Sequence, residues 1–288
     1  TDEKVQEILV KFKPKQDMNG INAKYLYLNA LQSSVFYRFS DIDGNWNGLT
    51  VSDVYGNEPI NIGYVNGWLS TSQNILKIMV FMAFVIILMT APVFSGEYGG
   101  VDNIILTSRY GKTKCISAKV TAGILSSLII TFTVIALNII SAFIIYGKEG
   151  LDCSILFAPI EFSEGYIPFN ITCSTLLKYQ MLLAFMSSVS VAGITFIFSA
   201  LCRSQLAAFA ISCAFYVIPI VLPIAETSSL YRILVLMPFY YAQLISLMSI
   251  EQMGNGLLYA LLAVPAAFVF MSAGIILSRR IFSKHQVL

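Results

Sequence analysis

The sequence predicts an all-α polytopic membrane protein. Three observations carry that prediction: charge is scarce, five apolar runs are long enough to cross a bilayer, and Lys and Arg gather on one side of the connections between them. Charged residues make up 12% of the chain and hydrophobic residues 57%; mean hydropathy is +0.74. Soluble domains carry about 25% charged residues, so this chain has too little charge to cover a water-facing surface, and lipid is the surface that suits it. The net charge of +2 is near balance and gives no argument for nucleic acid.

Residues 1–72 read as a small α+β extracytoplasmic domain. Between Asp2 and Lys13, Val5, Ile8, Leu9 and Phe12 recur at helical spacing among charged residues, and Pro14 ends that amphipathic helix. A second helix is expected over Asn22–Arg38, with Tyr25, Leu28, Leu31 and Phe36 as packing residues. From Ser40 to Gly67 the chain is rich in Gly, Asn and Asp with short β-branched pieces such as Leu49–Val51, the pattern of turns and short strands. A vestibule or lid, or a cap packing the helix ends, both suit such a domain.

Residues 73–288 read as the transmembrane domain. A helix needs about 20 apolar residues to cross the hydrocarbon core, and a charge at its centre costs about 2.5–3.5 kcal/mol on insertion scales. Stretches without Asp, Glu, Lys or Arg run Ile78–Gly96, Val120–Gly147, Tyr179–Cys202, Ser204–Ala225 and Gln252–Ser278. They predict five spans, at about 74–95, 117–146, 178–201, 204–225 and 256–279. A weaker run, Ile233–Ile250, holds Pro238, Tyr240, Tyr241 and Gln243. It predicts re-entrant outer helices ahead of the last span, because polar, Pro-broken backbone at membrane depth must be covered by protein or water.

The charge bias sets the orientation. With five spans, Arg109, Lys112, Lys114 and Lys119, the turn at Arg203, and the tail residues Arg279, Arg280 and Lys284 fall on one side, which the positive-inside rule makes the cytoplasm. The loops Lys148–Lys178 and Glu226–Glu251 then lie outside with the N-terminal domain, the C-terminus lies inside, and the protein is a multi-pass protein of the plasma membrane. Counting Ile233–Ile250 as a span would carry the basic tail outside. A chain that opens on Thr1 with a soluble segment outside suggests a sixth span upstream.

Cys153 and Cys173 share an outer loop, where a disulfide is chemically permitted; a bond and two free thiols are both open. Cys115, Cys202 and Cys213 sit in or near spans and suit small apolar packing roles. His285 is the single histidine, and no Cys/His spacing suggests zinc. Asn170-Ile171-Thr172 fits a glycosylation sequon. Gly111-Lys112-Thr113 resembles the end of a Walker A loop, but Leu106 stands where that motif needs glycine, so a basic turn is the reading. No Gly-x-Ser-x-Gly or His-Glu-x-x-His motif occurs, and the spans hold no Asp or Glu. Proton relays and intramembrane enzymes usually bury such groups. No catalytic residue and no cofactor is therefore expected in this chain, and energy for uphill transport would enter through a partner.

The loop 96–114 points to one. Pro92 to Lys119 runs from a span into Glu97, then a Gly pair, Gly99 and Gly100, then a short apolar piece, a Ser108-Arg109-x-Gly111-Lys112 turn, and Ala118-Lys119 opening the next span. This resembles the permease subunit of type 2 ABC exporters, with the turn Phe198–Gln205 and the Pro238 segment fitting the same pattern over about 72–284. The resemblance implies that the loop is a cytoplasmic coupling helix docking on an ABC ATPase. Glu97, Tyr98, Asp102, Ile104, Ile105, Leu106 and Arg109 would be the coupling residues, with Ile104–Leu106 an apolar knob and Glu97, Asp102, Arg109 and Lys112 its polar rim. It further implies two ATPase copies carrying ATP and Mg, and a second permease, identical or related. The cargo would be amphiphilic, an antimicrobial or toxin peptide or a lipid-like compound, crossing by an apolar route. The outer domain departs from the many members with only a short loop there. A membrane sensor or scaffold with a ligand-binding outer domain is the alternative.

Overall fold

The computed structural model describes residues 61, 65–98, 107–108, 110–155, 171–222, 229–241 and 256–284. The expected N-terminal α+β domain lies almost entirely outside these residues. Within them the chain is helical, with a single isolated bridge, Ser154 to Thr172, in place of any strand. In order come α1 (Asn66–Thr90), α2 (Pro92–Ser95), a π-helical turn (Gly111–Cys115), α3 (Ile116–Tyr146), α4 (Cys173–Leu201), α5 (Gln205–Val221), α6 (Ser229–Leu234), α7 (Pro238–Tyr241) and α8 (Gly256–Lys284).

Four stretches are long and apolar enough to cross a membrane: Asn66–Ser95, Ile116–Tyr146, Cys173–Leu201 and Leu261–Lys284. The span expected over 204–225 is the shorter helix α5, of 17 residues, about 25 Å at 1.5 Å per residue. Its end has a local cause. Leu222 precedes Pro223, which disfavours the helical region for the residue before it, and Leu222 is extended at ψ 113°. The stretch expected to be re-entrant contains, as far as it is described, the short helices α6 and α7.

α4 is the centre of the assembly. Its most apolar stretch is 61% buried, against 17% for α3, and it packs on α1, α3, α5, α7 and α8. Its composition permits this. Small residues let helix backbones approach closely in a membrane, and the buried positions of α4 include Ala184, Ser187, Ser188, Ala192, Gly193 and Ala200. The tightest crossing is Gly193 against Gly274 of α8: a Cβ on Gly274 would lie 2.5 Å from the Cα of Gly193.

Hydroxyl and amide groups bind the helices at successive levels. Ser72 of α1 donates to Gln180 Oε1 at 2.7 Å, and Gln180 Nε2 donates back to the Ser72 carbonyl at 2.8 Å. Thr131 of α3 meets Ser188 at 2.7 Å. Ser187 donates to the Pro238 carbonyl of α7 at 2.8 Å. These levels fix the helix directions. Ser72 lies by Gln180 and Phe94 by Ser199, so α1 and α4 run the same way. Gly67 lies against Tyr146, and Gly123 against Phe196, so α3 runs the other way. α8 runs with α4, since Gly274 meets Gly193 and Phe282 meets Phe94. α5 opposes them, with Gln205 against Gly96 and Tyr216 against Phe84.

One end of the bundle gathers Lys114, Lys119, Arg203, Arg279, Arg280 and Lys284; it is called the basic end below. At the far end, Trp68 Nε1 donates to the Glu149 carbonyl at 2.9 Å and its ring meets Phe143 edge-on at 4.9 Å. The α3–α4 connection turns through Gly147 and Gly150, both at positive φ. It then pairs as Ser154 opposite Thr172 before Thr172 caps α4 by accepting from the Thr175 N–H.

Candidate functional site

The loop expected to couple to a partner springs from the basic end, and the structure describes both of its roots. The first root is a break in the first span. Pro92 cannot continue an ordinary helical ladder, because it has no N–H and its ring crowds the preceding turn. The Ser199 hydroxyl of α4 fills the gap: it accepts from the Phe94 and Ser95 N–H groups at 2.9 and 3.1 Å and donates to the Ala91 carbonyl at 2.5 Å. One buried hydroxyl thus satisfies three backbone groups and fixes the angle at which α2 leaves α1.

Glu97 and Tyr98 follow directly. The Glu97 carboxylate forms an ion pair with the Lys119 ammonium in the first turns of α3. The two side chains are only 19% and 20% exposed, so the pair is largely withdrawn from water. The Tyr98 hydroxyl donates to the Ala200 carbonyl at the end of α4. The Tyr98 ring lies 5.8 Å from that of Phe282 in α8, which lies 5.1 Å from Phe94. Lys119 Nζ stands 5.8 Å above the Phe282 ring, within the range of a cation–π attraction.

The second root is the turn into α3. Gly111 donates to the Ser108 carbonyl at 3.2 Å, and Cys115 to the Tyr110 carbonyl at 3.2 Å, the i→i+5 bond of a π-helical turn. Lys114 Nζ lies 4.5 Å over the Tyr110 ring. Arg279 of α8 donates to Ser117 Oγ. The loop therefore leaves and returns through one knot in which α1, α2, α3, α4 and α8 all take part. The knot is held by an ion pair, hydroxyl bonds and tilted ring contacts.

Of the expected coupling residues, the structure brings Glu97 and Tyr98 into this knot. Glu97 faces Lys119, in the first turns of α3. Asp102, Ile104, Ile105, Leu106 and Arg109 lie outside the described residues. Cys153 and Cys173 stand opposite one another at the far end, with both thiols free. The Cys173 N–H donates to the Cys153 carbonyl at 3.0 Å.

Ser199, Phe282 and the Ser117–Arg279 contact are contributors that sequence reasoning missed. Ser199 had a signal: it continues the row Ser188, Thr195, Ser199 at helical spacing along an apolar run, and Pro92 announces backbone groups that need a partner. Phe282 had none, being one aromatic residue among many.

A small cavity of about 10 Å³ lies mid-bundle among Ile87, Thr195, Ser212, Tyr216 and Pro238, room for about one water. The Ser212 and Thr195 hydroxyls bond within their own helices, while the Tyr216 hydroxyl is buried without a partner. Comparison with family models, with curated proteins and with solved structures finds no match to this chain.

Proposed function

We propose that this chain is the transmembrane permease subunit of an ATP-driven ABC exporter, moving an amphiphilic peptide or lipid-like cargo across the plasma membrane. One observation carries the reading: both roots of the 96–114 loop are tied into the same knot at the basic end. A push on a loop so anchored passes to α1, α3, α4 and α8 together, which is what energy input from a cytoplasmic ATPase requires. In this reading ATP and Mg reside on two copies of the ATPase, and a second permease completes the pathway.

The basic end faces the cytoplasm, as the Lys/Arg bias favours. α5 serves as the fifth crossing, and α6 and α7 form the re-entrant outer helices. The docking knob is Ile104–Leu106, with Asp102 and Arg109 at its rim.

Purification from native membranes tests this reading. The chain is expected to bring down a nucleotide-binding subunit. Charged replacements such as Ile105→Asp should abolish stimulation of ATP hydrolysis by cargo while leaving the fold intact. A protein that is active alone, with the Ile104–Leu106 replacements silent, would point instead to a membrane sensor or scaffold.

A further inference from the structure

At the far end of the bundle three chain segments converge on the start of α4. The Ile155 N–H donates to the Ile171 carbonyl at 3.0 Å, and the Cys173 N–H to the Cys153 carbonyl at 3.0 Å, on either side of the Ser154–Thr172 bridge. Ser174 donates to the Leu151 carbonyl at 2.9 Å, and Ser154 to the Asn61 carbonyl at 2.8 Å. Cys153 and Cys173 are thus directly opposed on an antiparallel pair. They share one backbone hydrogen bond, while the Cys153 N–H turns back to the Gly150 carbonyl at 3.2 Å; a pair exchanging both bonds has its Cα atoms about 5.5 Å apart. Disulfides span Cα separations of about 4.4–6.8 Å. Cys173 is fully buried in the apolar cluster around Trp68 and Leu176, and Cys153 packs against the same cluster.

We propose that Cys153 and Cys173 form a modification site: a disulfide that staples the 151–155 segment, and with it the carbonyl of Asn61, to the N-terminus of α4 when this face meets an oxidising compartment. The oxidant is a disulfide, of glutathione or of a protein thiol oxidase. The thiolate of Cys153, the more accessible of the two, attacks one sulfur of that oxidant and expels a thiolate. The Cys173 thiol then attacks the mixed disulfide, its proton passing to the second thiolate as that group departs. Two cysteine thiols lose two protons and two electrons, and the oxidant disulfide becomes two thiols. The staple closes the 154–172 segment into a loop and would hold the far-end connection rigid while the basic end moves.

The inference rests on the orientation proposed above and not on the ATPase. Full-length protein is taken from cells whose thiols have been blocked at lysis, denatured, and labelled with a polymer-tagged maleimide before and after reduction. Of the five cysteines within residues 1–288, three (five less the bridged two) should have been open to blocking and two should label only after reduction, with peptide masses assigning those two to Cys153 and Cys173. Five blocked thiols, or any other pair, overturns the proposal. Reduced, purified protein treated with glutathione disulfide reads the geometry alone; failure to bridge there also overturns it. Cys173→Ser in intact cells, probed with a membrane-impermeant maleimide, reads the orientation separately. Labelling of Cys153 from outside together with no bridge in the wild type would leave the orientation standing and sink the staple.

Discussion

Glu97 and Lys119 lose most of their hydration in the folded chain, and the second carboxylate oxygen of Glu97 is buried without a hydrogen bond. An ion pair so placed contributes little net stability, because desolvation offsets much of the attraction, yet removing one partner strands the other charge and costs about 3–5 kcal/mol. We therefore expect Glu97→Gln and Lys119→Met each to lower the melting temperature sharply in detergent. The double replacement should melt closer to the wild type than either single one. A double-mutant cycle that comes out additive would mean that the pair does not interact. The same cycle bears on the loop, since these two residues stand at its two roots. Glu97 was legible in the sequence as a member of a loop motif. Its partner was not, because 22 positions separate it from Lys119 and no helical or strand period links them; only the fold places one root beside the other.

Among the described elements, the bounds of α3, Ile116–Tyr146 against an expected 117–146, were readable, and the starts of α1 and α4 were not. Charge-free runs placed α1 from about 74 and α4 from about 178, whereas α1 begins at Asn66 and α4 at Cys173. Counting charges treats Lys77 and Lys178 as ends. The helices continue past them because polar groups find each other: Ser72 and Gln180 bond reciprocally, and Thr172 caps α4. The central role of α4 was likewise hidden, since its run is no more hydrophobic than the others; what distinguishes it is small size and hydroxyls on the buried side. The Gly193–Gly274 crossing follows from that small size. A Cβ on Gly193 would lie 2.9 Å from the Phe270 carbonyl oxygen and 3.0 Å from the Met271 Cα, both backbone atoms that cannot swing aside. Overpacking of this kind costs about 1–3 kcal/mol. Gly193→Ala should accordingly destabilise the bundle by that order, and Gly274→Leu should push α8 away from α4 and reduce folded yield in size-exclusion profiles. If Gly193→Ala melts like the wild type, the two helices are not in backbone contact.

For the whole molecule, helix direction limits the number of crossings. α4 ends at the basic end, α8 runs parallel to it, and so the chain must travel back to the far end between Leu201 and Gly256. α5, antiparallel to both, begins that return. Its 17 residues reach about 25 Å, short of a hydrocarbon core about 30 Å thick, so the fifth crossing proposed above needs the chain after Leu222 to complete it. The stretch from Lys77 to Glu97 measures about 30 Å on the same rise, the thickness of a hydrocarbon core; in the proposed arrangement the knot of Glu97, Tyr98, Lys119 and Phe282 lies at one membrane face and Lys77 at the other. Phosphatase and fluorescent-protein fusions read this arrangement directly. On the proposed orientation, a fluorescent protein joined after Arg203 or after Lys284 should mature in the cytoplasm, and a phosphatase joined after Ala225 should be active. An inactive phosphatase at Ala225 alongside a fluorescent fusion at Lys284 would mean that α5 turns back within the bilayer and that the return to the far end is made by residues after it. A dark fluorescent fusion at Lys284 would place the basic tail outside, remove the loop roots from reach of a cytoplasmic ATPase, and sink the exporter reading with them.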